Sequence, residues 1–445
     1  MLWGSVSFVL ADTHLMKGAI NMKLLVKNGH IIDLKNDIDM YGDILVLDGV
    51  IVQIAEKIED NEAEVIDAEG MVVSAGLIDM HVHLREPGYE YKEDIKTGTE
   101  AAVAGGFTSV CCMPNTNPVC DNQAVVSFIK SRAEKVGSCR VFPVGAITKG
   151  LKGEELSEMG EMKKEGIVAV SDDGRPVSNG SVMRRALLYA SHFDLPVISH
   201  CEELSLLDSG SMNDSETCTR LGLRPIVPAV EEAMVARDIL IAEHEKKRVH
   251  IAHVSTKGSV ALIRDAKKRG VQVTCETAPH YFSLTDEAVM GFDTNAKMNP
   301  PLRSQEDVDA IIEGLVDGTI DAIITDHAPH HIDEKNLEFD YALNGIVGLE
   351  TSLALSVTYL VKTGKMTLGE MLQKMTYNPS NILNLGLGEI ALGAIADLTI
   401  FDPDEIWTVK VNEFKSKSKN SPYDGFTLSG KTHATIVEGR VMYEN

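Results

Sequence analysis

Short apolar runs recur through the middle of the chain. They read GLIDMHVHL (76–84), FTSVCCM (107–113), RVFPVGAI (140–147), GIVAVS (166–171), LPVISH (195–200), RVHIAHV (248–254), VQVTCE (271–276) and DAIITD (321–326). Stretches with helical spacing separate them, such as EDIKTGTEAAVAGG (93–106), AVEEAMVARDILIAEHEKK (229–247) and GSVALIRDAKKRG (258–270). Strands alternating with amphipathic helices predict parallel βα units and an α/β fold. About eight strands is the count of a closed (β/α)8 barrel. An open doubly wound sheet is the runner-up, but no G-x-G-x-x-G follows any strand, so a dinucleotide fold has no support.

The flanks have a different pattern. Residues 22–75 contain short β-like pieces with turn signals, KLLVKNGHIID, GDILVLDGVIVQIA and EVIDAEGMVVSAG. Residues 388–445 repeat that style in GEIALGAIADLTIFDP and HATIVEGRVMYEN. The expectation is a small β-sandwich-like domain built from 22–75 and 388–445, around a barrel of 76–387. Met22 opens the first regular pattern, so 1–21 is expected to be a loose extension; it lacks the basic start and cleavage site of a signal peptide. FKSKSKN (414–420) is a brief basic run, expected to be a solvated loop.

Composition narrows the class. A chain of 445 residues, 44% hydrophobic, has room for one large domain and a smaller one. No apolar run approaches the roughly 18 residues of a membrane span. The formal charge of −24 argues against nucleic acid or an anionic membrane as partner. An anionic substrate would need local positive charge from a metal or an arginine. The seven cysteines form no C-x-x-C pair, which predicts reduced, buried thiols in a cytoplasmic protein.

In such a barrel, chemistry sits at the C-terminal ends of the strands. Along 77–88, LIDMHVHLREPG, one parity carries Asp79, His81, His83 and Arg85 and the other Ile78, Met80, Val82 and Leu84. Residues two apart share a face, so both imidazoles and the guanidinium are expected to point inward. Other strand ends carry Asp172 and Asp173, His200, His253 and Asp326. Four histidines with strand-end aspartates suit one or two first-row metal ions; zinc fits imidazole and carboxylate ligation, and manganese or cobalt stay open. Asp326 is the candidate proton carrier. Asp172 and Asp173 cannot be told apart by position alone. His250 has the parity opposite to His253 and is expected to face the helices. His30, His192 and His244 read as plain surface or helix residues, His280 as a residue that could lie near the metals, and Arg303 as a structural ion-pair partner.

Several segments together resemble the amidohydrolase superfamily, specifically the dihydroorotases of the long, type I microbial kind. They are HVHLREPG (81–88), MPNTNPV (113–119), SDDGRPVSN (171–179), ISHCE (198–202), HVSTK (253–257), KMNPPLR (297–303), TDHAPH (325–330) and GIVGLE (345–350). The resemblance runs from about residue 22 to the last residue. It implies a barrel with a composite β domain and reversible hydrolysis of (S)-dihydroorotate to N-carbamoyl-L-aspartate in pyrimidine biosynthesis. It implies metal ligation by His81, His83, Asp173, His200, His253 and Asp326, with Asp173 in the bridging place. Hydantoinases and many dihydroorotases have a carbamylated lysine there, and GIVAVSDDG (166–174) offers none. By the same resemblance, His83, Arg85, Asn115, Asn299, His330, Asn344 and Gly345 would meet the substrate, Arg85 by a bidentate grip on its carboxylate. A homodimer is implied, with association with aspartate transcarbamoylase left open. The alternatives are an allantoinase or hydantoinase, and a non-catalytic scaffold of the same fold.

Overall fold

The computed structural model describes residues 22–445, and the expected loose extension, 1–21, lies outside them. The apolar runs form strands β1 (Leu77–Val82), β2 (Phe107–Cys112), β3 (Arg140–Gly145), β4 (Ala169–Ser171), β5 (Val197–Ser199), β6 (Val249–Ile251), β7 (Val273–Thr277) and β8 (Ala322–Ile323). Neighbours in chain order pair in parallel. Val82 bridges His327 just beyond β8, so the sheet closes on itself as the expected barrel. β5, β6 and β8 end before their apolar runs do. The remainder of each run enters a loop, and that is where His200, His253 and Asp326 lie.

The helices cover the barrel by their apolar stripes. Helix Ile95–Ala104 starts at Asp94, whose side chain accepts from Thr97 N at 2.9 Å in a capping box. Helix Ala229–Glu245 has Glu231 and Glu232 in its first turn and buries Val230, Met234, Val235, Ile239 and Ala242 on one face. Helix Lys257–Lys268 is capped by Thr256 and buries Val260, Ile263 and Ala266.

A second eight-stranded sheet joins the two ends of the described chain. Strands Lys23–Asp33, Ile38–Leu47, Val50–Ala55, Glu64–Asp67 and Val72–Ala75 come from one end. Strands Leu398–Thr408, Thr427–Val437 and Arg440–Glu444 come from the other. The halves meet where Leu398 pairs with Ala75 and Ile400 with Val73, antiparallel. Leu24, Val26, Ile44, Val73, Ile400 and Ile436 share its core. Gly76 alone separates this sheet from β1, and any Cβ there would overlap the Thr108 side chain. Among the described residues, no helix is long and apolar enough to cross a membrane.

The basic run 414–420 is not the solvated loop expected. Lys415 and Lys417 are exposed, but Ser416, Ser418 and Asn420 are buried. Ser418 Oγ donates to Lys92 O at 2.6 Å, and Asn420 Nδ2 to Ala328 O at 3.0 Å. The alternation of lysine with small polar residues turns the charges outward and the hydrogen-bonding groups onto the barrel mouth.

Candidate active site

The strand ends converge on a cavity of about 210 Å³. His83, Arg85, Asn115, Asp173, His200, His253, Asn299, Asp326, His330, Asn344 and Gly345 all line it. A larger cavity, about 610 Å³, lies elsewhere beside Trp407, Phe414 and Tyr443 and holds no comparable cluster. Of the residues expected at the site, only His81 lies beneath the cavity lining, fully buried.

Local backbone strain helps aim these groups. Arg85, His253 and Asp326 have φ of 63°, 33° and 48°, the left-handed region, which costs about 1–3 kcal/mol at a non-glycine residue. Arg85 therefore reaches the cavity through a turn past β1, not by the strand alternation that predicted it. Its Nε donates to Pro329 O at 3.1 Å. Asp79, fully buried, accepts from His81 N at 3.0 Å and from Thr325 N at 3.2 Å. One carboxylate thus ties the H-x-H strand to the backbone beside Asp326.

Two groups of ligand-type atoms form, and Asp173 belongs to both. His81, His83 and Asp173 make one, and Asp173, His200 and His253 the other, with the atoms of each within 4.8 Å of one another. Asp173 Oδ1 is 3.2 Å from His81 Nε2 and 3.5 Å from both His200 Nδ1 and His253 Nε2. Asp173 Oδ2 is 3.4 Å from His83 Nε2, and Asp326 Oδ1 is 3.2 Å from the same nitrogen. Asp172 points away: it accepts from Thr148 N at 2.9 Å and also binds the Thr148 hydroxyl.

These residues fit divalent metal ions. His81 Nε2 and Asp173 Oδ1 are buried with no hydrogen-bond partner among the described residues, and a first-row ion takes such nitrogen and oxygen donors. Without metal, protons occupy the site. Burial disfavours the charged His81, yet Asp173 and Glu276 outweigh it and raise its pKa well above the ordinary value. Burial likewise opposes His200, but Asp173 and Glu202 raise its pKa to about 10. Asp173 is held well below the usual carboxylate range against its own burial by His81, His200 and His253. The raised His200 stabilises the metal-free fold fully below its unfolded pKa of about 6.5, and this is lost as pH rises through about 10. Metal must displace those protons. Metal affinity is expected to rise with pH between about 6 and 10, with proton release seen calorimetrically in buffers of different ionisation enthalpy. Affinity flat with pH and no proton release would contradict this.

The supporting shell was largely hidden in the sequence. His81 Nδ1 meets Glu276 Oε1 at 2.8 Å, and Glu276 Oε2 meets His250 Nε2 at 3.0 Å. A carboxylate on the far nitrogen orients a ligating imidazole and raises its basicity. His250 is therefore part of this inner network and does not face the helices. The strand parity argument fails because His253 lies beyond the end of β6 at positive φ, so the two residues do not alternate on one strand. The visible signal for Glu276 was an acid closing an apolar run, VQVTCE. Glu202 Oε1 accepts from Asn299 Nδ2 at 2.9 Å, and its Oε2 lies 3.7 Å from His200 Nε2. Asn115 Oδ1 sits 2.9 Å from His83 Nδ1. His280 is buried, and burial pushes its pKa down to about 4, with Asp326 and His253 the charges that act on it. Arg303 binds Ser255, Asn213 and Glu231, as expected of a structural residue. The cysteines are unpaired and buried.

Comparison with known proteins agrees with this geometry. The family model described as Dihydro-orotase-like matches residues 70–259. The dihydroorotase of Ruminiclostridium cellulolyticum is 58% identical over 418 residues, covering 94% of this chain and 98% of that protein. The dihydroorotase of Geobacter metallireducens is 58% identical over 424 residues, covering 95% and 100%. The chain belongs to the dihydroorotase family. The fold of this dihydroorotase family member is shared more widely. The L-hydantoinase of Arthrobacter aurescens superposes with a TM-score of 0.86 at 26% identity, over 96% of each chain. Against that shared frame, the end of β4 in this family member brings a carboxylate, Asp173, between the two histidine pairs.

Proposed function

We propose that this chain is a dihydroorotase: it hydrolyses (S)-dihydroorotate reversibly to N-carbamoyl-L-aspartate in pyrimidine synthesis. The observation that carries the reading is one cavity with metal-ligand groups at one side and Arg85 and His330 at the other. Zinc is the ion we assign to His81, His83, Asp173, His200, His253 and Asp326. When bound, such an ion supplies Lewis acidity, which lowers the pKa of water toward about 7 and polarises an amide carbonyl.

The protein's own groups supply the rest. Arg85 grips the substrate carboxylate with its planar fork. His330 is neutral, its pKa pushed down to about 2 by burial and then by Arg85, Lys92 and Lys335. Its Nε2–H donates to Asn344 O at 2.7 Å, so the imidazole braces the loop that faces the ring. Asn115 and Asn299 line the remaining walls. Asp326 removes a proton from the attacking water and delivers one to the departing ring nitrogen. Hydantoin and allantoin lack the carboxylate that Arg85 would hold. The cytoplasm, a homodimer and an association with aspartate transcarbamoylase belong to the same proposal.

The test is to assay metal-loaded protein with dihydroorotate, allantoin and hydantoin side by side. Faster turnover of either alternative would overturn the substrate assignment, and a protein that binds no stoichiometric metal would be a scaffold. Arg85→Lys is expected to lose about 1.5–3 kcal/mol of transition-state stabilisation, because a point charge cannot replace the fork. Unchanged kcat/KM in that variant would remove Arg85 from substrate binding.

A further inference from the structure

Residues 339–345 form an irregular loop that brings Asn344 and Gly345 to the cavity. Its carbonyls are held from behind by buried side chains. The Lys297 ammonium donates to Phe339 O at 2.6 Å, Asp340 O at 3.1 Å and Ala342 O at 2.8 Å. The Lys335 ammonium donates to Leu343 O at 2.8 Å, Gly345 O at 3.0 Å and Lys297 O at 3.3 Å. His330 takes Asn344 O, and Asn420 also binds Gly345 O at 3.0 Å. Among the described residues, only the Tyr341 carbonyl of this loop lacks such a side-chain donor.

Each ammonium has three donors, and each spends all three on carbonyls. Lys297 is 6% and Lys335 2% exposed. Burial, then the neighbouring Lys297 charge, pushes the Lys335 pKa down to about 7. Two like charges buried side by side are costly, and apolar packing could close a loop without that cost. What the ammoniums add is direction: they turn the carbonyls inward. The Asn344 N–H has no backbone acceptor among the described residues, and Asn344 lines the cavity. Gly345, at φ 127°, packs so close that a Cβ would lie 2.6 Å from Ala328 Cβ.

We propose that Lys297 and Lys335 are positioning residues for substrate, a carbonyl-binding pair that holds the Asn344–Gly345 backbone in the conformation that meets the dihydroorotate ring. This rests on the assignment of Asn344 and Gly345 to the substrate made above. The test uses the full-length, metal-loaded enzyme with Lys335→Met and, as a milder variant that keeps two donors, Lys335→Gln. Hydrogen exchange is followed at Ala342, Leu343 and Gly345, whose N–H groups bond Glu338 O, Glu334 O and Lys297 O. Metal content, kcat and KM are measured alongside.

The expected result for Lys335→Met is exchange at least about tenfold faster in the loop and KM raised about tenfold or more, with kcat and metal content kept. Lys335→Gln should fall between it and the wild type, and carries the test if the methionine variant does not fold. Unchanged exchange would overturn the cage. Faster exchange with unchanged KM would overturn the link to substrate and place the error in the Asn344–Gly345 assignment. Parallel loss of kcat and metal would show a general structural role and overturn the proposal. If the wild type did not turn over dihydroorotate, the functional reading would fail while the exchange comparison still judged the cage.

Discussion

Asp326→Asn is expected to bind metal and yet lose at least about 10²-fold in kcat in both directions, the low end for general acid–base catalysis. Asp326 lies at the cavity wall with Oδ1 3.2 Å from His83 Nε2 and 3.7 Å from His81 Nε2. Burial alone would raise its pKa, but the His83 hydrogen bond and the His81, His83 and His253 charges hold it at about 2. In the metal-free site the group is therefore ionised at neutral pH. Asparagine keeps the shape and an oxygen for the metal, but it cannot carry a proton. Ring opening takes a proton from water and gives one to nitrogen, and closure does the reverse. One shuttle serves both, so both rates should fall together. Hydrolysis needs the carboxylate ionised and synthesis needs it protonated, so acid pH should favour closure. Metal content and both initial rates across pH provide the check. A variant with normal metal and near wild-type rates would make Asp326 structural.

Asp173→Ala is expected to strip metal from the protein, whereas Asp172→Ala should retain it. Asp173 is the one carboxylate common to both histidine groups. Its loss should cost more affinity than the roughly 10–100-fold typical of an outer-sphere partner. Asp172, one residue earlier, receives the Thr148 N–H and hydroxyl, so it fastens the loop after β3 to the end of β4. Burial raises its carboxyl pKa to about 6. Its removal leaves a buried donor unpaired, a loss of about 1–3 kcal/mol in stability. Metal analysis of the two variants, with thermal unfolding beside it, separates the roles. Swapped outcomes would show that the neighbours had been exchanged.

The contrast between these adjacent acids shows where local pattern stops being informative. The barrel was legible because each central strand is buried on both faces, which writes a continuous apolar run into the chain. Strand-end position then singled out His81, His83, His200, His253 and Asp326. Arg85 was found for an incomplete reason: the alternation that suggested it ends at Val82, and a left-handed turn does the aiming. The same limit misplaced His250.

The sequence by itself determined the parallel βα order, the sheet formed from both ends and the residue types gathered at the strand ends, because these depend on periodicities of a few residues. Only the tertiary structure decided which groups support them. His81 and Glu276 are 195 residues apart and meet through closure of the barrel. Asn420 reaches Ala328 O across 92 residues from what read as a basic surface run. Lys297 and Lys335 spend their charge on backbone carbonyls, which every residue possesses, so no side-chain pattern announces the partners. A hydrogen bond to the main chain, or across a closed sheet, leaves no period in the sequence, and its partners become visible only once the chain has folded.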